Sequence, residues 1–138
     1  SGEYLGAVLS RALILVDLAR RDEAGALIVA ANVAHPKIHR GADWRAAEAL
    51  LGMRSPGDVA PETEQSIPAR CTAFLLLARA TGREEFVSAA RRELRKLVGH
   101  LSGVNRERAM QSSPRGRRLS LTEELLRGRQ GPARSPRD

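Results

Sequence analysis

SIPARCTAFLLLARATGREEFVSAARRELRKLVG, Ser66 to Gly99, is the stretch on which the fold turns. Ser66 and Pro68 open a helix, because proline is tolerated in a first turn, where its missing N–H removes no bond. The helix runs to about Thr81, with Cys71, Phe74, Leu75, Ala78 and Leu77 as its inward residues. Gly82 breaks it. A second helix follows from Glu84 to about Val98, with Phe86, Ala89, Ala90, Leu94 and Leu97 apolar. Glu84 and Glu85 at its start and Arg92, Arg95 and Lys96 toward its end complement the helix dipole, and Gly99 can stop it. Two helices joined by one glycine make a helical hairpin.

The same grammar extends toward the N-terminus. Glu3 to Arg20 reads as a helix, with Leu5, Val8, Leu9, Ala12, Val16 and Ala19 at helical spacing. Ile14, Leu15 and Leu18 add apolar surface on another side, so this helix is expected to sit centrally or to be covered by a second subunit. Asp22 can cap a second helix running to about Ala34. A continuous helix from Glu3 to Ala34 would be about 48 Å long and leave much apolar surface uncovered, so a break near Arg21 is preferred. His35-Pro36 ends the second helix. Asp43 is the expected cap of a short helix, Trp44 to Leu51, closed by Gly52. Arg54 to Ser66, with Pro56, Gly57 and Pro61, is a long connector.

Composition agrees. The 138 residues are 42% hydrophobic but only 3% aromatic, so the core must be aliphatic and the fold all-α. The expected architecture is a small bundle of about five helices arranged as hairpins over residues 1–104. Leu5, Val8, Leu9, Leu13, Val16, Leu27, Phe74, Leu75 and Phe86 form its core. Leu15 to Ala31 and Leu77 to Arg91 share an echo, in which Arg21-Asp22-Glu23 aligns with Arg83-Glu84-Glu85. That punctuation resembles tetratricopeptide-type hairpin repeats, without their aromatic and glycine positions.

Charge divides the chain differently. The net charge is +7, yet residues 105–138 hold nine arginines against four acids, a net +5. With Gln-Ser-Ser-Pro, Gly-Pro and Ser-Pro stretches and little to bury, this segment is expected to be a largely disordered basic tail. One island stands out: Ser120-Leu-Thr-Glu123 matches a capping box, and Leu119, Leu121, Leu125 and Leu126 make a short amphipathic helix near 120–127. This short helix could dock on the domain or fold on a partner, and its leucines, with Arg115, Arg117 and Arg118, are the candidate partner-binding residues. An arginine-rich segment implies an acidic partner: nucleic acid, an acidic protein face or anionic lipid. Arg117-Arg118-Leu119-Ser120 resembles a site for basophilic kinases, and Ser113-Pro114 and Ser135-Pro136 resemble proline-directed sites.

No motif for chemistry stands clear. His35 and His39 have a ligand-like spacing, but Pro36 interrupts a helix between them, and no metal or other cofactor is assigned. Arg95-Lys-Leu-Val-Gly-His100 resembles the Arg-x4-His spacing of HEPN-type ribonucleases, except that Lys96 stands where a polar or acidic residue is usual. The resemblance implies that Arg95 and His100 act on an RNA phosphate and its 2′-hydroxyl. Cys71 alone forms no internal disulfide and fits a reducing, cytoplasmic setting. The leading expectation is a non-enzymatic helical protein–protein interaction or regulatory/adaptor module that binds a protein partner or itself, its basic tail contacting an acidic partner. A nucleic-acid-associated protein is the alternative, and a ribonuclease the lesser one.

Overall fold

The computed structural model describes residues 2–130, with side chains described for 3–128. Among the described residues the chain is all-helical. In order come α1 (Gly2–Asp17), α2 (Arg21–Ala34), α3 (Ala42–Leu50), two short 3-10 turns (Pro56–Asp58 and Pro61–Thr63), α4 (Ile67–Thr81), α5 (Glu84–Val98), α6 (Gly103–Ser112) and α7 (Pro114–Gln130). The expected five helices are all present, and two more follow them.

The centre of the molecule is α4. Its residues Cys71 to Ala78 are buried without interruption. A helix apolar on every side needs cover on every side. Ala73, Leu76 and Leu77 belong to a core shared with α1, α2 and α3. Cys71, Phe74, Leu75 and Ala78 belong to a second core, shared with Val87, Ala90 and Leu94 of α5 and with Leu119 and Leu126 of α7. The central place expected for the first helix therefore falls to α4. On α1, Ile14 and Leu18 stay exposed. Of the expected core, Val8, Leu27 and Phe86 are half-buried and the rest buried.

Caps explain the joints. Ser66 Oγ accepts from the Ala69 N–H at 3.3 Å, opening α4 as expected. Gly82 ends it at φ 75°, a left-handed conformation that glycine adopts without the Cβ clash. The break after α1 falls at Ala19, which takes φ 62° while the Arg20 N–H reaches the Leu15 carbonyl at 2.8 Å. This six-residue closure does the work glycine usually does, at a cost of about 1 kcal/mol for an L-residue. Asp22 therefore lies in the first turn of α2 rather than capping it; the cap is Arg20, without a side-chain bond. Likewise α3 starts two residues early, capped by Gly41, and Asp43 Oδ1 accepts from the Trp44 N–H at 2.9 Å.

Two hairpins match the expectation. Tyr4 meets His35 edge-on at 5.0 Å, joining the start of α1 to the end of α2. Phe74 stacks on Phe86 at 6.3 Å, and Arg70 Nε donates to Glu93 Oε1 at 3.0 Å, setting α4 antiparallel to α5.

The expected disordered tail is corrected. The boundary near Val104 falls in the first turn of α6, and helix continues to Gln130. Helix α7 starts at Pro114, where Ser113 Oγ accepts from the Gly116 N–H at 3.0 Å. The anticipated capping box at Ser120 is not used, because Ser120 is mid-helix and its Oγ donates to the Gly116 carbonyl at 3.2 Å. A Cβ on Gly116 would lie 2.1 Å from the Met110 carbonyl oxygen, so only glycine lets α6 and α7 approach this closely. Ser135-Pro136, Arg134 and Arg137 lie outside the described residues.

Two predictions follow from this packing. Leu126→Ala empties a fully buried site and is expected to cost about 2–5 kcal/mol in denaturant unfolding; a surface tail position would cost almost nothing. Burial pushes the Glu93 carboxyl up, but hydrogen bonds from Lys96 and Arg70 outweigh it and hold the group below the usual carboxylate range. A lowered folded value gives stability that is present at neutral pH and lost as pH falls through it. Glu93→Gln should therefore be less stable than wild type at pH 7, with the difference shrinking in acid.

Candidate interaction surface

The residues singled out on α7 divide into two groups. Leu119 and Leu126 are 4% and 1% exposed, and Thr122 between them is fully buried. The spacing of these three residues places them on one helical face, turned onto α4 and α5. Arg115 Nε donates to Thr72 Oγ1 of α4 at 3.1 Å. Arg118 donates to Asp17 Oδ2 at the end of α1 at 3.2 Å, and Arg79 of α4 donates to the same carboxylate at 2.8 Å. Arg91 of α5 pairs with Glu123. These groups hold α7 in place. Leu121 is half-buried, while Leu125, at 40%, and Arg117 face solvent.

The surface that sequence reasoning attached to burial or a second subunit is now explicit. On the α1–α2 hairpin, Ile14 of α1 and Leu18 just beyond it are 56% and 59% exposed, and Val29 and Val33 of α2 are 50% and 76% exposed. Ala7, Ala26 and Ala30, also exposed, lie on the same two helices. Val29 and Val33 were not anticipated, although their spacing of four marks one face of α2.

Cationic groups gather elsewhere. Arg91, Arg95, Gly99, Arg106, Glu107 and Met110 line an open groove of about 550 Å³ between α5 and α6. Arg106 is partly engaged, donating to the Leu101 carbonyl at 3.1 Å. Of the Arg95 and His100 pair, Arg95 lines this groove. His100 is exposed on the turn beyond α5 and is not among the lining residues.

A polar site sits at the start of α3. Burial pushes the Asp43 carboxyl up, against the Trp44 N–H that lowers it, and the nearby Glu64 carboxylate adds to the rise. Glu64 is held down by the Ala42 N–H, which donates to it at 3.0 Å. His39 lines the same cleft as Glu64, whereas His35 faces Tyr4. Among the described residues no group of three or more His, Cys, Asp or Glu is placed to hold a metal ion, and no helix is long and apolar enough to cross a membrane.

Beneath α7, burial pushes the Cys71 thiol up to about 11, and its Sγ lies 3.6 Å from the Ala90 carbonyl. A thiol of that kind is a core hydrophobe rather than a nucleophile.

Comparison with protein-family models, with curated proteins and with solved structures finds no match to this chain.

Cys71 reports whether α7 is seated. At pH 8 the folded protein should react with a thiol-alkylating reagent about a hundredfold more slowly than the unfolded chain. Leu126→Ala should speed labelling, measured by mass spectrometry over time.

Proposed function

We propose that the chain is a non-enzymatic helical interaction module whose docking surface is the exposed apolar part of the α1–α2 hairpin. The observation that carries this is the set Ile14, Leu18, Val29 and Val33, half or more exposed on that hairpin. Branched aliphatic residues grouped on one face of a folded domain mark an association surface, whereas scattered single ones do not. The cores around α4 are already filled from within, and four of the exposed large apolar residues fall on this hairpin, which leaves it apolar surface for a second molecule. A second copy of the chain is the first occupant to test, since an identical hairpin presents a face of the same kind in a two-fold dimer.

A basic face would add contacts to an acidic partner. Arg115 and Arg118 contribute little to it, because they bond to Thr72 and Asp17. Arg117 and the α5–α6 groove arginines support it instead. The groove also favours a second reading, a nucleic-acid-associated protein that grips phosphates without reading bases. The ribonuclease reading has less support, since His100 does not line the groove with Arg95. A cytoplasmic site of action accords with the single buried, reduced Cys71.

Sedimentation velocity over a concentration series separates these readings. Wild type is expected to form dimers, and Ile14→Asp combined with Val33→Asp to give a monomer of unchanged helicity. A wild type that stays monomeric, with RNA binding that weakens steeply in salt and is lost in Arg95→Ala/Arg106→Ala, would favour the phosphate-binding reading instead.

A further inference from the structure

We propose that Ser120 is a phosphorylation site for an arginine-directed serine kinase and that the docking of α7 controls access to it. The proposal is independent of the α1–α2 surface. It rests on a motif whose determinants the fold has put to another use.

Arg117 and Arg118 stand three and two residues before Ser120, and Leu121 stands one after it. Two guanidinium groups at this spacing suit an acidic substrate groove, and the apolar residue suits a small pocket beside the catalytic centre. Such a groove takes its substrate as extended chain. In the folded protein the segment is helical instead, within α7. Ser120 itself is exposed, but its Oγ donates to the Gly116 carbonyl. Arg118 is turned inward onto Asp17, and its Nε is buried without a hydrogen-bond partner. Leu119 is buried in the core shared with α4 and α5. A kinase that reads Arg118 and straightens residues 117–121 must therefore draw Leu119 out of that core and break the Asp17 pair. Only a molecule whose α7 has left its seat is a substrate.

The transfer is an ordinary phosphoryl exchange with ATP. The Ser120 Oγ forms a bond to the γ-phosphorus as the bond to the ADP oxygen breaks, and the hydroxyl proton passes to the catalytic carboxylate of the kinase. The product then resists reseating. In the helix Glu123 and Glu124 lie three and four residues beyond Ser120 and Arg117 three before it, so a phosphate there faces two like charges against one exposed cation. Modification thus favours the state in which α7 is off and the apolar face of α4 around Cys71, Phe74 and Leu75 is uncovered.

The test uses the full chain, ATP and the catalytic subunit of a cyclic-AMP-dependent protein kinase, with site-resolved mass spectrometry. A synthetic peptide of residues 114–124 serves as the extended reference. Wild type is expected to be phosphorylated at Ser120 at least about tenfold more slowly than the peptide, because the competent state is a minor population. Leu126→Ala should be several-fold faster than wild type. Asp17→Asn, which leaves the apolar packing intact, should be faster than wild type and guards against global unfolding in the leucine variant. Phosphorylated chain should expose Cys71 to alkylation faster than unmodified chain. Equal rates for wild type and peptide, no acceleration in either variant, no phosphate on Ser120 of wild type or variants, or unchanged Cys71 labelling after modification would each overturn the proposal.

Discussion

The constraint on which the rest depends is the unbroken burial of α4 from Cys71 to Ala78. Leu75, Leu76 and Leu77 are consecutive, so at 100° per residue they point in three directions. No single neighbour can cover all three. Helix α3, with Ala46, Ala47 and Ala49 at its contact, approaches from one side. Helix α5 takes another, through Val87, Ala90 and Leu94. The remaining exposure is closed by α7. The arginine-rich segment folds because it supplies the last wall of a core that residues 1–104 leave open.

Electrostatics then fixes where that wall sits. Asp17, at the end of α1, receives both Arg79 and Arg118, so one carboxylate ties α1, α4 and α7 together. Arg91 and Glu123 tie α7 to α5. Single exposed ion pairs add little stability. These pairs are partly shielded and converge from several helices, and they choose the seat of α7 more than they pay for it. Two of the three arginines singled out on α7, Arg115 and Arg118, are therefore structural, while Arg95 and Arg106 remain beside the α5–α6 groove.

The five N-terminal helices were legible because their periodicity and punctuation are local. Ser66, Gly82 and Pro36 act on their immediate neighbours. The α1–α2 break was legible only in outline, since Ala19 takes a left-handed turn that nothing in its chemistry announces. The end of the chain was misjudged for a physical reason. Leu119, Thr122 and Leu126 lie on one face, but their partners are remote: Arg115 bonds a residue 43 positions away and Arg118 one 101 positions away. Composition sees those arginines as solvated charge. The warning sign was on α4, whose three consecutive leucines called for more cover than one hairpin partner could give. For the interaction surface, Ile14 and Leu18 were marked in the sequence as surplus apolar residues. For Leu119 and Leu126, docking on the domain and folding on a partner were both open in the sequence, and the structure buries them against α4 and α5.

Two surfaces now carry the functional account, an apolar one on α1–α2 and a basic one beside α5, and both presuppose that α7 completes the fold. Native-state hydrogen exchange on the full chain tests that premise most directly. The backbone amides of residues 118–126 should be protected to a degree comparable with those of residues 73–78 in α4, and protection in both should fall together in Leu126→Ala. Exchange of residues 118–126 at the rate of unstructured peptide, with α4 still protected, would contradict it.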